Sequence, residues 1–154
     1  LLYPTELRAV WYNTLMTLRN NYTCLHCTES IRIDNHAKNN AGKYCSNRCQ
    51  HDYQYLRLIQ SWKAGEVEGY TGKMKQIKSW LRRYMLDKHN SSCVKCGWCK
   101  RHPIDNLPLV EINHIDGNAE NCLEENLEVI CPNCHSETIN FRARNKTSTR
   151  QRYN

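Results

Sequence analysis

The stretch from residue 110 to 138 contains two histidines and an asparagine whose types and spacing could support chemistry at a cleft. His114 ends a short apolar run and precedes a Gly turn, so its imidazole is expected to face a cleft rather than a core. A neutral imidazole in that position can take a proton from water near pH 7. His135 directly follows Cys134, so a metal bound at that cysteine would orient the histidine. Asn126 precedes a second apolar run.

Two CxxC pairs frame this stretch and predict a structural zinc site. The spacings 93/96 and 131/134 are too tight for ordinary disulfides but match zinc knuckles. Such a site would pin a strand near 107–112, a strand near 127–130, and a helix that opens at Pro132 and runs towards Arg142. The expected product is two strands and a helix, ββα, held at its base by zinc. The predicted ligands are Cys93, Cys96, Cys131 and Cys134.

Each histidine also has a structural interpretation. His135 could be the fourth ligand of this zinc in place of a cysteine, and His114 could be a buried histidine with satisfied hydrogen bonds. We prefer neither, because four thiols already suffice for Zn²⁺ and His114 lies in a turn sequence. Cys99 and Cys122 remain as reduced thiols, although Cys99 could compete with Cys96 for the metal.

A second cysteine cluster is predicted nearer the amino terminus. Two cysteine pairs, 24/27 and 45/49, are separated by a polar segment that could not build a core by itself. Two knuckles closing on one Zn²⁺ would order that segment. A thioredoxin-like redox role is rejected, because its βαβ context is absent. The predicted ligands are Cys24, Cys27, Cys45 and Cys49, with His26, His36 and His51 interpreted as surface residues.

Together with the two zinc sites, the predicted helices and strands indicate a small, zinc-stabilised α+β fold. Helices are expected over 4–20, from a Ser46 cap to about Trp62, and over 73–89. The second of these should bury an inner face that includes Leu56.

Three glycines between residues 64 and 72 predict a linker between two modules. The expected organisation has four parts: an N-terminal helix plus zinc-ribbon module (1–63), a linker and basic amphipathic helix (64–89), a ββα domain (90–145) and a basic tail (146–154).

The formal charge of +7 is only weak evidence for a nucleic-acid partner. Each Zn²⁺ bound by four thiolates contributes −2, so two such sites reduce the charge to about +3. The local distribution is more informative, because cations gather on the basic helix and in the acid-poor C-terminal region. A solvated helix face and a solvated chain end are the alternatives. The candidate DNA contacts are Lys75, Lys78, Arg82, Arg83, Arg142, Arg144 and Lys146.

Hydropathy and cysteine usage indicate the cellular compartment of the protein. The sequence has no apolar run long enough to cross a bilayer and no recognisable secretory segment. Paired cysteines with zinc spacing favour a reducing compartment. A cytoplasmic location without a membrane partner is expected.

The motif around His114 resembles a known nuclease family. The sequence reads Ile112-Asn113-His114-Ile115-Asp116-Gly117-Asn118, then Asn126, then Cys131-Pro-Asn-Cys134-His135. It resembles the HNH endonucleases of the ββα-metal (His-Me finger) class, whose three letters match His114, Asn126 and His135. The segments 43–50, 62–65, 82–85 and 93–98 are also similar to bacteriophage-encoded HNH endonucleases, including homing endonucleases, that carry a zinc-ribbon module before the nuclease. The resemblance covers roughly residues 22–146.

This resemblance implies a metal-dependent endonuclease that hydrolyses phosphodiester bonds in double-stranded DNA. His114 would be the general base, His135 a ligand of a catalytic divalent ion, and Asn126 would hold the loop by side-chain hydrogen bonds. Mg²⁺ or Mn²⁺ suits an oxygen-rich site, and one imidazole ligand also admits Ni²⁺, Co²⁺ or Zn²⁺. The implied setting is an infected host cell, with a monomeric enzyme and phage packaging or replication proteins as candidate partners.

Asn113 departs from the family pattern, which usually has a metal-binding Asp or Glu before the base histidine. An amide oxygen can still bind a metal ion, but without formal charge. The expected alternatives are weaker metal binding, help from Glu111, Asp116 or Glu137, or reduced activity. The competing functions are therefore a zinc-ribbon DNA-binding protein with an attenuated nuclease site, and a packaging or RNA-processing factor with the same fold.

Overall fold

The computed structural model describes residues 21–32 and 43–151, which form three helices and three two-stranded antiparallel sheets. The helix predicted over 4–20 and His36 lie outside the described residues. The helices are α1 (Asn47–Lys63), α2 (Ser79–Lys88) and α3 (Pro132–Ser136). The strands are β1 (Asn21–Thr23), β2 (Ser30–Arg32), β3 (Tyr70–Thr71), β4 (Gln76–Ile77), β5 (Glu111–His114) and β6 (Leu127–Ile130), paired as β1–β2, β3–β4 and β5–β6.

Residue contacts divide the chain into two compact units, 1–57 and 58–154, so α1 begins in one unit and ends in the other. This division falls before the predicted linker because the end of α1 packs within the second unit. There Trp62 is buried, and its Nε1 donates to the carbonyl oxygen of Cys122 at 3.0 Å. The Trp62 ring also meets the Tyr84 ring edge-on at 5.6 Å.

The first unit contains the β1–β2 hairpin and the start of α1. Ser46 Oγ accepts a hydrogen bond from the Cys49 backbone N–H at 3.1 Å, which confirms the predicted helix cap. The predicted buried face of α1 is wrong at Leu56, which is 50% exposed. Burial along α1 is confined to Ile59 and Trp62, near its C-terminal end.

Residues 70–77 form the β3–β4 hairpin, where the sequence predicts the end of a linker and the start of a helix. Gly72 and Lys75 adopt left-handed backbone conformations, with φ of 68° and 49°. Such residues interrupt a right-handed helix, so α2 begins only at Ser79. Lys75 and Lys78 are therefore not on the predicted basic helix.

Helix α2 packs against β6 to form the core of the second unit. Leu81 and Met85 on α2 are fully buried, as are Val129 and Ile130 on β6. Apolar burial of this kind is the main contribution that holds a small domain together. Among the described helices, none is long and apolar enough to span a bilayer.

Strands β5 and β6 and helix α3 follow the predicted order of strand, strand and helix, and α3 packs on β5. Strand β5 begins at Glu111 rather than near 107, because residues 101–108 form a loop closed by a bridge between Arg101 and Pro108. The β5–β6 register places His114 opposite Leu127.

Helix α3 is shorter than predicted and ends at Ser136 instead of running towards Arg142. Beyond it, the Thr138 hydroxyl donates to the carbonyl oxygen of His135 at 2.8 Å, and Ile139 is 80% exposed. Asn140 Nδ2 donates to the carbonyl oxygen of Ile115 at 2.6 Å, which ties the chain to the loop after β5. One local bond and one bond to the loop after β5 thus take the place of further helical turns.

Candidate functional site

The four N-terminal cysteines of the predicted zinc ribbon converge in the first unit. Their sulfur atoms all lie within 4.8 Å of one another, and Cys45 Sγ is 3.4 Å from Cys27 Sγ and 3.3 Å from Cys49 Sγ. The Cys45 backbone N–H donates to Cys24 Sγ at 3.4 Å, the kind of bond that stabilises a thiolate. This four-cysteine group could hold a structural Zn²⁺, which takes four ligands tetrahedrally.

The second four-cysteine group joins the 93/96 knuckle to the junction of β6 and α3. The sulfur atoms of Cys93, Cys96, Cys131 and Cys134 also lie within 4.8 Å of one another. Cys93 and Cys131 are buried, and they form one cluster with Ile130. Burial acts to raise the pKa of Cys93, but backbone N–H groups, that of Cys131 foremost, lower it to about 6. This group too could hold a structural Zn²⁺.

The two alternative zinc ligands, Cys99 and His135, lie outside these groups, as does the remaining cysteine, Cys122. Cys99 is exposed, and Cys122 is buried in the second unit. His135 follows a cluster cysteine, but its Nδ1 contacts Glu111 rather than a cluster sulfur. The structure therefore brings together the cysteines of both predicted sites and keeps His135 apart from them.

A cavity of about 420 Å³ lies in the second unit. Strand β5 contributes Glu111, Asn113 and His114 to its lining, and α3 contributes His135. Arg150, from the C-terminal segment, also lines it. Two of the three family-motif residues, His114 and His135, thus meet in one cavity, while Asn126 does not line it.

His114 is the most enclosed polar residue of the cavity, at 5% exposed. Burial lowers the pKa of its imidazole, the positive charge of Arg150 lowers it further, and Asp116 opposes the shift. The ring is therefore neutral at pH 7, as a proton acceptor must be. Its Nε2 lies 3.5 Å from Cys122 Sγ, a neighbour that no sequence motif indicated.

Asn126 holds the loop that follows His114. Its Oδ1 accepts from the Asp116 backbone N–H at 3.0 Å, and its Nδ2 donates to Asp116 Oδ1 at 2.9 Å and to the Asn121 carbonyl oxygen at 2.7 Å. The side chain is buried and all its polar atoms are engaged within the loop. Asn126 thus acts on the cavity through the position of the loop.

Glu111 and His135 face each other across β5 and α3. The Glu111 carboxylate accepts a hydrogen bond from His135 Nδ1 at 2.5 Å. The ring of Phe141 packs edge-on against His135 at 5.2 Å between centroids. A carboxylate on Nδ1 directs the other ring nitrogen, Nε2, to a further ligand, which is the usual arrangement at metal-binding histidines.

The side chain of Asn113 is hydrogen-bonded to the neighbouring strand. Its Nδ2 donates to Glu128 Oε1 at 2.8 Å, since the register of β5 and β6 places the two residues opposite each other. The Lys95 ammonium lies 3.5 Å from the same carboxylate oxygen. The bond orients the Asn113 amide and leaves Oδ1 as its free acceptor. The sequence position of Glu128 did not indicate this contact.

The seven predicted DNA-contacting cations have different surroundings in the structure. Arg142 lines the cavity, whereas Arg144 donates to the Ser136 carbonyl oxygen at 2.9 Å. Lys78 directly precedes α2, and Lys146 is exposed. Three others contact groups of the same unit: Lys75 with Glu120 at 2.6 Å, Arg82 with the Val110 carbonyl oxygen at 3.0 Å, and Arg83 with Asp87 at 3.6 Å.

No family model, curated protein or solved structure matches this chain.

Proposed function

We propose that the second unit is a metal-dependent HNH endonuclease that hydrolyses phosphodiester bonds in double-stranded DNA. The observation that carries the proposal is the cavity in which His114 and Asn113 of β5 meet His135 of α3. An antiparallel pair followed by a helix presents these residues, and a four-cysteine group lies at the junction of β6 and α3.

His114 is the general base in this proposal. The step joins the water oxygen to phosphorus, passes a water proton to the imidazole, and breaks the ester P–O bond to the leaving oxygen. The lowered pKa of His114 keeps the imidazole neutral and able to accept that proton at pH 7. Asn126 holds in place the loop that follows His114.

The cavity residues fit a divalent cation. His135 offers Nε2 because Glu111 occupies Nδ1, and Asn113 offers Oδ1 because Glu128 occupies Nδ2. When bound, such an ion would supply positive charge at the phosphate and the leaving oxygen. Mg²⁺ or Mn²⁺ suits the oxygen ligand, and the imidazole also admits Ni²⁺, Co²⁺ or Zn²⁺.

A zinc-stabilised DNA-binding module with an attenuated nuclease site is the second candidate function. One observation favours it: the cavity carboxylate of Glu111 is paired with His135, and the residue before His114 is a neutral amide. A site with little free negative charge would bind Mg²⁺ weakly. This candidate predicts DNA binding without cleavage.

Nicking of supercoiled plasmid in Mg²⁺, Mn²⁺, Ni²⁺ or Co²⁺ tests the proposal. We expect His114→Ala to reduce the nicking rate by about 100-fold or more, as for loss of a general base. His102→Ala is the matched control, because His102 lies in the 101–108 loop and does not line the cavity. Equal rates for the two variants, or no nicking by the unmodified protein with any of these ions, would contradict the proposal. RNA in competition with duplex DNA distinguishes an RNA-processing role.

A further inference from the structure

Residues 145–151, here called the C-terminal strap, lie against the second unit rather than apart from it. The strap crosses the loop that follows β5 and reaches the β3–β4 hairpin. Four hydrogen bonds hold it: Asn145 Nδ2 to the Gly117 carbonyl oxygen (2.9 Å), Thr147 Oγ1 to the Asp116 carbonyl oxygen (2.8 Å), Thr149 Oγ1 to Asn118 Oδ1 (3.0 Å), and the Gln151 N–H to the Lys73 carbonyl oxygen (3.2 Å).

Gly117 makes room for the strap. Its backbone has a φ of 77°, and a Cβ built there would lie 2.6 Å from Thr147 Oγ1 and 2.7 Å from Asn145 Oδ1. Any other residue would therefore displace the strap as well as strain the turn. The glycine after His114 thus serves both the turn and the seating of the strap.

The strap places Arg150, an exposed residue, at the lining of the cavity. This residue lies between Thr149 and Gln151, which are both hydrogen-bonded to the rest of the unit, and it lines the cavity together with His114. Its positive charge is near enough to His114 to act on that imidazole.

The guanidinium of Arg150 is not neutralised by a neighbour. Within the described ranges, no carboxylate or carbonyl oxygen accepts a bond from it, whereas Lys75, Arg83 and Arg144 all have partners. A cation held in a concave site without an anionic partner is an arrangement suited to an anionic ligand. Arginine also matches the spacing of two phosphate oxygens, which a lysine does not.

We propose that Arg150 binds the scissile phosphate in this cavity and is a catalytic residue of the second unit. The inference rests on the proposed function and deepens it. Arg150 remains protonated throughout, binds two phosphate oxygens and brings the phosphorus next to His114. The bond changes are those of hydrolysis, with the water proton passing to His114 and the leaving oxygen taking a proton from solvent. The strap is thus part of the site rather than a solvated basic tail.

Single-turnover nicking kinetics test the assignment in zinc-loaded protein. We expect Arg150→Ala to lower the cleavage rate at saturating DNA by about 100-fold, since it removes a positioned charge at the phosphate. Arg150→Lys should recover part of this loss, because it keeps the charge but not the two-oxygen contact. Lys100→Ala is the control, as an exposed cation of the second unit that does not line the cavity and is not a candidate DNA contact. An Arg150→Ala variant with two bound zinc ions that cleaves at the unmodified rate, as Lys100→Ala should, or that loses only DNA affinity, would overturn the assignment.

A binding measurement separates this assignment from the nuclease proposal. Inorganic phosphate titrated into the unmodified protein should shift the Nε–Hε NMR signal of Arg150, identified by its absence in Arg150→Lys. Absence of a shift at phosphate concentrations up to tens of millimolar, together with normal cleavage by Arg150→Ala, would overturn the phosphate site. A shift in a protein that nicks no DNA would support the phosphate site and overturn the nuclease proposal.

Discussion

At the scale of single residues, Asn113 places a neutral amide in the cavity at the position before His114. It lies between the Glu128 carboxylate, which fixes its orientation, and the cavity that it lines. An Asp at this position would place two carboxylates where one hydrogen bond now exists. If residue 113 binds the proposed ion, Asn113→Asp alone would add a charged ligand but also bring repulsion from Glu128.

We predict that the double substitution Asn113→Asp with Glu128→Gln binds Mn²⁺ about tenfold more tightly than the unmodified protein. The new amide at position 128 would donate to the new carboxylate at position 113, so the bond is kept with reversed polarity while the cavity gains a negative ligand. Calorimetric titration of zinc-loaded protein with Mn²⁺ measures this. Glu128→Gln alone should show no gain, and Asn113→Asp alone a smaller one. Equal affinity of the double variant and the unmodified protein would show that residue 113 does not bind the ion.

At the scale of elements, Glu124 joins two helices to the short 3-10 turn before β6. Its carboxylate accepts from the Tyr84 hydroxyl at 2.6 Å and pairs with Lys88 of α2 and, at 2.9 Å, with Lys63 of α1. Burial acts to raise the pKa of Glu124, but Lys88, Tyr84 and Lys63 together lower it to about 2. The ionised carboxylate therefore stabilises the folded second unit.

We predict that Glu124→Gln lowers the free energy of unfolding by roughly 1 to 3 kcal/mol at pH 7, since it leaves two ammonium groups without their partner. The pKa of Glu124 is lower in the folded state, so its contribution is complete above the ordinary value of 4.5 and declines only as pH falls towards 2. Urea unfolding of zinc-loaded protein should therefore give the same difference at pH 6 and at pH 8. Glu125→Gln, at the exposed neighbouring position, is the control and should change little. A Glu124→Gln effect that grows or vanishes between those pH values would contradict this account.

At the scale of the whole molecule, each compact unit contains one four-cysteine group, and the second unit also has a small apolar core. The second unit buries Leu81, Met85, Val129 and Ile130, whereas burial on α1 begins only at Ile59. Small domains with so little apolar burial depend on bound metal for much of their stability.

We predict two tightly bound Zn²⁺ per chain, and Cys27→Ser should remove one of them while the second unit stays folded. The physical reason is that the two four-cysteine groups belong to different units. Metal analysis gives the zinc content, and the NMR signals of Val129 and Ile130 report the second unit. Cys99→Ser is the matched control, because this exposed thiol lies outside both groups, and it should keep both ions. One zinc or none in the unmodified protein would refute the assignment, as would loss of both ions in Cys27→Ser.

The sequence by itself determined which cysteines come together in each cluster, because CxxC spacing restricts which thiols can reach one ion. It also indicated the strand, strand and helix order around His114 and the Ser46 cap, since these depend on short-range patterns. Left-handed residues at Gly72 and Lys75 were not readable from helical periodicity, and neither was the early end of α3.

Only the tertiary structure decided which polar groups meet. The bonds of Asn113 to Glu128 and of Glu111 to His135 depend on strand register and on the packing of α3, which sequence spacing does not specify. The placement of Arg150 beside His114 depends on a strap whose side chains bond to residues 116–118, more than 25 positions earlier in the chain. Short-range chemistry selects the ligands of a metal, whereas the composition of a cavity is set by long-range contacts.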